Sequence, residues 1–518
     1  MRHASLKKKA LLSAGAALAL AVLANIVSVR LFGRLDMTRG DLFTLSEASR
    51  ELMRNLDDRL TVRAYVTEDL PPPYSSYRRA LLDKLNEYRA WAGGKLEFQF
   101  IDPSGEKGEQ EAAQQGIAQA QVQDIQEDKF ELKRAYMGLV FLYEDRREVI
   151  PLVQNIGSLE YDISSTIRRL VSTVRKKAAF SSGRGEPPLT ELTRIQQAVG
   201  RQHEVTSVDL DGEGPIPQDV AALVVMAPRE PFSEKARFRL DQYLMHGGRI
   251  AFLLNKVDAD LDQRFGRTLE LNIEDMLETY GLRLNPDLVH DAQCARVTIV
   301  QQRVGFFHPH LPLVSGFSRD NMMVKDLQGV VLVFASSVDT TELASRGLKG
   351  EVLMRSSRQS GRQRQFFSLD PQGLRDADFG EDGIPLGIAV TGRFRSHYAS
   401  RPAPADTTPG APLPEVKEES PETRVILIGD GDFPRDNYTV NKDNLTLVAN
   451  MIDYLADDAG LITIRSKDVN LPPLDQLSDG ARKALKYGNL VLPPAAVMLF
   501  GLLRWRLRKA RRKAMEIS

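Results

Sequence analysis

The stretch RVILIGDGDFPRDN, residues 424–437, places two aspartates among glycines directly after an apolar run. A strand ending in Gly429, Asp430, Gly431 and Asp432 brings backbone N–H groups and two carboxylates to one point, a pattern able to hold a cation or a phosphate. The same pattern serves as a plain strand-to-helix turn, in which glycine takes unusual backbone angles and aspartate caps. A nucleotide site would add a lysine through G-x-x-x-x-G-K-[ST], and this loop has none. A second loop of the kind, Gly183, Arg184, Gly185 and Glu186 within SSGRGE, follows another apolar run. Arg184 and Glu186 read there either as a polar-ligand site or as a solvent-facing ion pair. These eight residues are the candidate ligand or interaction positions.

Other chemistry has thinner support. FFHPHLP spaces His308 and His310 as H-x-H without a carboxylate cluster beside them, and DLVHDAQC gathers Asp287, His290, Asp291 and Cys294 within eight residues. Such groups serve as metal ligands or as a thiol-imidazole pair, but Cys294 lacks the glycine-flanked elbow that exposes a nucleophile. A single cysteine in 518 residues excludes an internal disulfide, a cysteine-only zinc site and a CxxC motif. No catalytic residue, cofactor or metal ligand is assigned from the sequence.

The elements that position the two loops belong to a long, ordinary chain, 42% hydrophobic and 27% charged, enough for two or three globular domains. Its formal net charge of zero conceals a division: the two ends carry 11 basic side chains and 1 acidic one, which leaves the remainder near −10. Each basic cluster abuts an apolar run. Residues 10–29 hold no charge, and about 20 such residues at ~1.5 Å each span a hydrocarbon core. Residues 487–503 form a shorter run containing Pro493 and Pro494, with Trp505 and basic residues after it. The alternatives are a cleaved signal peptide for the first run and a buried core helix for the second. Positive charge outside both runs predicts two transmembrane helices in a lipid bilayer, both termini cytoplasmic, and a periplasmic or otherwise extracytoplasmic body. The acidic body lacks aromatic-basic interleaving, which argues against nucleic acid.

Periodicity organises that body. T-x-x-E at Thr44 and Glu47 predicts a capping box opening a helix, and the segments after it alternate as strand, amphipathic helix and strand, followed by a hairpin turning at EDRR. The predicted order is a basic N-terminus (1–9), a first span (10–29), a small α/β domain (30–155), a connecting helix (156–177) and a second α/β domain (178–466). A juxtamembrane segment (467–486), a second span (487–503) and a basic tail (504–518) follow. Residues 400–423, proline-rich and acidic, predict a disordered insertion between two strands.

The order of these features resembles the GldG-like auxiliary component of gliding-motility-type ABC transport systems. The likeness rests on LDMTRGDLFTLSEASRELM, FIDPSG, FSSGRGE, AALVVMAPREPFSEKARFRLDQYLMHGGRIAFLL and RVILIGDGDF with NLTLVANMIDYL. It implies an ABC-2-type permease and a cytoplasmic ABC ATPase as partners, a bacterial inner membrane location, and no enzymatic activity. It also implies a body like the class I glutamine amidotransferase fold. The expected fold class is therefore an α/β extracytoplasmic body, a small βαβ domain plus an amidotransferase-like open sheet, anchored by two transmembrane helices. The family's usual Gly-His-Gly-Glu loop is departed from, because Arg184 stands at the histidine position. The expected function is a non-catalytic scaffold coupling permease and ATPase to an extracytoplasmic load; the alternative is a membrane-anchored hydrolase or amidotransferase-like enzyme using the two loops.

Overall fold

The computed structural model describes residues 44–456 apart from 69, 72–73, 127–128, 154–155, 173–174, 261–263, 300–303, 342, 405–414 and 439–440, together with Ile462 and scattered residues between 486 and 509. The chain divides into a unit of Met1–Asn470 and a unit of Leu471–Ser518. In the second unit the described helical residues Met498, Leu499, Phe500, Leu502 and Trp505 are all exposed.

The first unit opens with helix α1 (Glu47–Arg54). Its cap is not the predicted Thr44/Glu47 box: the Ser46 side chain accepts from Ser49 N, and Glu47 turns outward to Arg50 and Arg54. Strands β1 (Leu60–Val66), β2 (Leu96–Ile101), β3 (Gln119–Gln126), β4 (Lys129–Tyr143) and β5 (Arg146–Ile150) form one sheet, in which β2 runs parallel to β1 and the rest antiparallel. Alternation along the strands sends side chains to two faces. Val62, Ala64 and Phe141 pack with helices α1, α2 (Ser75–Trp91) and α4 (Leu159–Val171); Tyr65 and Val140 meet Ala112 of α3 (Glu106–Gln114) on the other.

The second sheet is built from β6 (Lys177–Ser182), β7 (Glu204–Asp209), β8 (Val220–Met226) and β9 (Ile250–Leu253). The chain then passes through short strands: β10 (Val257–Asp260), β11 (Phe265–Thr268), β12 (Leu282–Leu284), β13 (Leu288–Asp291), β14 (Cys294–Ile299) and β15 (Val304–Val314). After β16 (Gly316–Phe317), β17 (Val330–Val331), β18 (Val338–Thr340), β19 (Lys349–Arg355), β20 (Ser360–Gln363) and β21 (Phe367–Ser368) come β22 (Pro385–Arg395) and β23 (Glu419–Ile428). The eight-stranded sheet has the order β16-β19-β22-β23-β9-β8-β6-β7, and its short companions form four small sheets. Strands β7, β6, β8, β9 and β23 are mutually parallel, and β22, β19 and β16 are antiparallel.

The inner strands are apolar on both faces, as strands covered twice must be. Ala222, Val224 and Met226 of β8 join one core with α5 (Thr193–Val199) and α8 (Lys442–Leu455); Leu223 and Val225 join the other with α6 (Glu234–Met245) and α7 (Glu274–Thr279). Leu288, Val289, Val314, Met323, Val324, Leu332 and Ala335 pack into the α5/α8 core as well.

Two expectations are corrected. Among the described residues no helix is long and apolar enough to cross a membrane. The two-helix anchor in the expected fold class is therefore not what the structure shows; residues 10–29 lie outside the described residues, and 487–503 do so in large part. A charge-free run has the length a span needs, but length is a necessary condition only, and the longest described helix, α2 with 17 residues, is amphipathic. The large sheet is mixed, with an antiparallel edge, and four small sheets accompany it. Residues 400–423 are also partly laddered, since β23 begins at Glu419 and Arg393 pairs with Glu422, while 405–414 lie outside the described residues.

Candidate functional site

Parallel strands β6, β8, β9 and β23 end at one edge, so the loops beginning at Gly183, Ala227, Leu254 and Gly429 line up there. The neighbours β6 and β8 are joined through β7 on one side and lead to β9 on the other, a reversal of strand order of the sort that opens a ligand crevice in α/β sheets. Both predicted loops share this edge, but β8 and β9 stand between them.

The Gly183–Glu186 turn is closed by its own groups. Glu186 accepts from Ser181 Oγ at 2.8 Å and from Arg184 N at 2.6 Å, so it does not pair with the Arg184 guanidinium as the sequence allowed. That guanidinium pairs with Asp211 and donates to Pro231 O at 3.2 Å. Burial works against ionisation of Asp211, but hydrogen bonds from Ser233 and Arg184 outweigh it and hold the carboxyl below its usual range. The Arg184 carbonyl accepts from Arg229 N at 2.8 Å and Glu230 N at 3.0 Å. The crevice at the reversal is thereby bridged by backbone. Gly185 has φ +77°, and a Cβ there would stand 3.0 Å from Arg229 Cβ.

At the Gly429–Asp432 loop the geometry is denser. Asp430 is fully buried, with Oδ1 accepting from Asp432 N (2.7 Å) and Phe433 N (3.3 Å) and Oδ2 from Val333 N (2.6 Å). Burial, then the neighbouring Asp432 carboxylate, push Asp430 up to about 8 against those three N–H groups. Asp432 accepts from Arg229 at 2.6 Å, from Asn255 Nδ2 and from Arg435 at 3.1 Å; Asn255 Oδ1 in turn accepts from Gly431 N at 2.6 Å. Arg435 reaches on to Glu191 at 2.6 Å. Both glycines are demanded by close approach: a Cβ on Gly429 would lie 1.9 Å from Ser336 O, and one on Gly431 2.5 Å from Ala227 N and Leu253 O.

The first N–H groups of α5, which face the crevice side of a doubly wound sheet, are taken as well. Asp436 accepts from Thr193 N at 2.9 Å and Arg194 N at 3.1 Å, so a carboxylate of the chain itself sits where a bound anion would. The edge thus has the layout of a ligand site with its charges already matched by protein groups. Sequence reasoning missed Arg229, Asn255 and Arg435. The signal was present, because Arg229 and Asn255 each follow a buried strand by only a few residues, as the two predicted loops do.

Away from this edge the structure joins two motifs that the sequence kept apart. His290 on β13 and His308 and His310 on β15 are all buried, with ring centroids 5.9 Å apart for His290–His310 and 5.5 Å for His308–His310. Burial, then His308 and His290, depress His310 to about 3. Cys294 is half-buried and its thiol is pushed up by burial and Asp291, the reverse of an activated nucleophile. Asp287 is engaged by Ser337, which donates through N at 2.7 Å and Oγ at 2.5 Å.

Comparison with known proteins places this geometry. Residues 175–457, more than half of the chain, match a family described as "ABC-type uncharacterized transport system". Residues 39–142 match a domain of unknown function, DUF7088. An uncharacterized protein of Borreliella burgdorferi is 22% identical over 513 residues, covering 93% of this chain and 95% of its own. Among solved structures, mmIFT52 N-terminal domain aligns with 54% of this chain and 97% of its own at 16% identity and a TM-score of 0.34.

Proposed function

The chain belongs to the family described as an ABC-type uncharacterized transport system, and from that premise we propose that it is a non-catalytic scaffold within such a system. Its role in transport is auxiliary. In the finer reading it resembles the GldG-like components, stands on the extracytoplasmic side of a bacterial inner membrane, and couples an ABC-2-type permease and a cytoplasmic ABC ATPase to an external load.

The observation that carries the non-catalytic part is the self-neutralised strand edge. Arg229, Arg435 and Asn255 converge on Asp432, three backbone N–H groups hold Asp430, and Asp436 occupies the α5 N-terminus. General acid-base or electrostatic catalysis needs a group within reach of a reacting atom and free to exchange a proton or stabilise charge. Each of these groups would first have to leave a partner, and for Asp430 that means exposing buried N–H donors at ~1–3 kcal/mol each.

The test is twofold. Affinity purification of the full chain from its native membrane should recover a permease and an ATPase in fixed stoichiometry. An Asp432→Asn variant that folds should still assemble with them and still support transport. Assembly without transport in that variant would make the edge a working site and overturn the scaffold reading; absence of both partners would overturn the coupling role.

A further inference from the structure

We propose that the open edge of strand β19 is a docking site for an extended, acidic segment of a partner protein, which joins the large sheet as a further strand.

Strand β16 covers β19 over two residue pairs only, Gly316↔Arg355 and Phe317↔Met354, and a bond from Ser318 N to Leu353 O at 2.9 Å ends the contact. On its other side β19 is paired with β22 from Lys349↔Thr391 to Arg355↔Pro385. Among the described residues no strand lies against the outer side of Lys349–Val352. In an antiparallel ladder successive residues turn their N–H and C=O alternately towards the neighbour and away from it, so two of these four residues present their backbone groups outward. Such a row is a template for another strand.

The chain leaving β16 does not cover this edge, because it is fastened to a side chain instead. Glu351 accepts from Ser318 Oγ at 2.6 Å and from Asn321 Nδ2 at 2.8 Å. Side chains stand out of the plane of a sheet while its hydrogen bonds lie in it, so these contacts draw residues 318–321 over one face and leave the edge open. A bulge between Val352 and Met354 bends β19 at the point where β16 gives out. What remains is a groove of about 740 Å3 that runs past β16 and is lined by Gly350, Glu351 and Val352 of the uncovered edge together with Arg355, Arg358 and Asp382.

The groove's own groups identify the occupant. Its lining side chains are polar apart from Phe317 and Val352, both half-buried, which suits a strand held by main-chain bonds with one or two apolar side chains rather than a small apolar ligand. Charge selects the sign. Arg355 and Arg358 are exposed, as is Lys349 at the start of β19, whereas Asp382 is the exposed carboxylate of the lining and Glu351 is already bonded to Ser318 and Asn321. A positive groove on a body of net negative charge favours an acidic segment. A second copy of the chain would meet it with the same positive patch, because a two-fold interface is self-complementary.

In the test, a phage-displayed library of random twelve-residue peptides is selected on the full chain, and the enriched peptides are synthesised. Acidic sequences with alternating apolar residues are expected, and hydrogen exchange should show them slowing the amides of residues 349–353. Methylating successive peptide amides should weaken binding by about tenfold or more, since each methyl removes a main-chain donor. Arg358→Glu, a change at an exposed side chain, should weaken binding several-fold, and more so at low salt. Should that variant fail to fold, the methylated peptides decide with the parent chain alone. Selected peptides that protect other residues, that bind equally well when methylated, or that are basic overturn the proposal, as does a library that enriches nothing. A chain that sediments as a dimer, with residues 349–352 protected before any peptide is added, makes a second copy the occupant and overturns it as well.

Discussion

The acidic loop at Asp430 and the histidine cluster at His310 are equally buried, yet they treat their polar atoms in opposite ways. Both side-chain oxygens of Asp430 accept from backbone N–H groups, whereas neither ring nitrogen of His310 has a partner among the described residues. One short segment touches both. Val333 N donates to Asp430, and the Phe334 N–H donates to the His310 carbonyl. The contrast teaches that burial of a polar residue is weak evidence of a site until its partners are counted. A satisfied network is architecture, while an unsatisfied buried group is a cost that the rest of the fold has to carry.

Four substitutions break or sharpen that contrast. The largest effect is expected from Gly429→Ala, whose new Cβ would stand 1.9 Å from Ser336 O, a backbone atom that can move only if residues 333–336 move with it. A loss of ~3 kcal/mol or more in urea unfolding is expected, and a loss below ~1 kcal/mol would show the segment to be compliant.

Asp430→Asn comes next. An amide has one acceptor oxygen, whereas both oxygens of the Asp430 carboxyl, with or without its proton, can accept, so either Val333 N or the Asp432 and Phe433 N–H groups would face an NH2, at ~1–3 kcal/mol. This exceeds the loss a simple turn aspartate would show. The same residue sets a pH signature. Its folded pKa, pushed up to about 8 from the ordinary 3.8, lies above its unfolded value, so its contribution is fully present below about pH 4 and is lost as pH rises through about 8. Stability of the parent chain should therefore fall across that window in chemical denaturation, and the fall should flatten in the Asn variant. An unchanged slope would place the proton elsewhere.

For Asp432→Asn a smaller loss is expected, ~1–2 kcal/mol, because Arg229 and Arg435 are partly exposed and keep Asp258 and Glu191 as second partners. Arg184→Ala should cost least, under ~1 kcal/mol, by removing its pair with Asp211 at a part-exposed site. Thermal melts that reversed the order of these two would show the Gly183–Glu186 loop, rather than the acidic one, to be the tighter corner.

Much of the frame was legible from one dimension. Alternation marks β1, doubly apolar runs mark β8, β9 and β23, and the hairpin of β4 and β5 turns at Glu144 within the predicted EDRR. Local capping was read less well: Thr44 and Glu47 fit the capping pattern, but Ser46 makes the bond, because Ser46 N and Ser49 Oγ also bind the buried Glu160 from α4. A distant carboxylate thus chose between two hydroxyls two residues apart. The apolar run at 10–29 and the tail beyond 487 carry the pattern of spans; the first lies outside the described residues and the second largely so, and among the described residues no helix is long and apolar enough to cross a membrane.

The sequence by itself determined where strands end and glycines gather, because periodicity and backbone freedom are properties of neighbours along the chain. It therefore named Gly183–Glu186 and Gly429–Asp432 as loops at strand ends. Only the tertiary structure decided what those loops face. Arg229 reaches Asp432 across more than two hundred residues, and His290 meets His310 across a hairpin that separates DLVHD from FFHPH. Pairing of this kind depends on strand order and register, which are settled by the burial of two whole cores. The charges at the sheet edge were matched, and the histidine nitrogens left unmatched, by that packing.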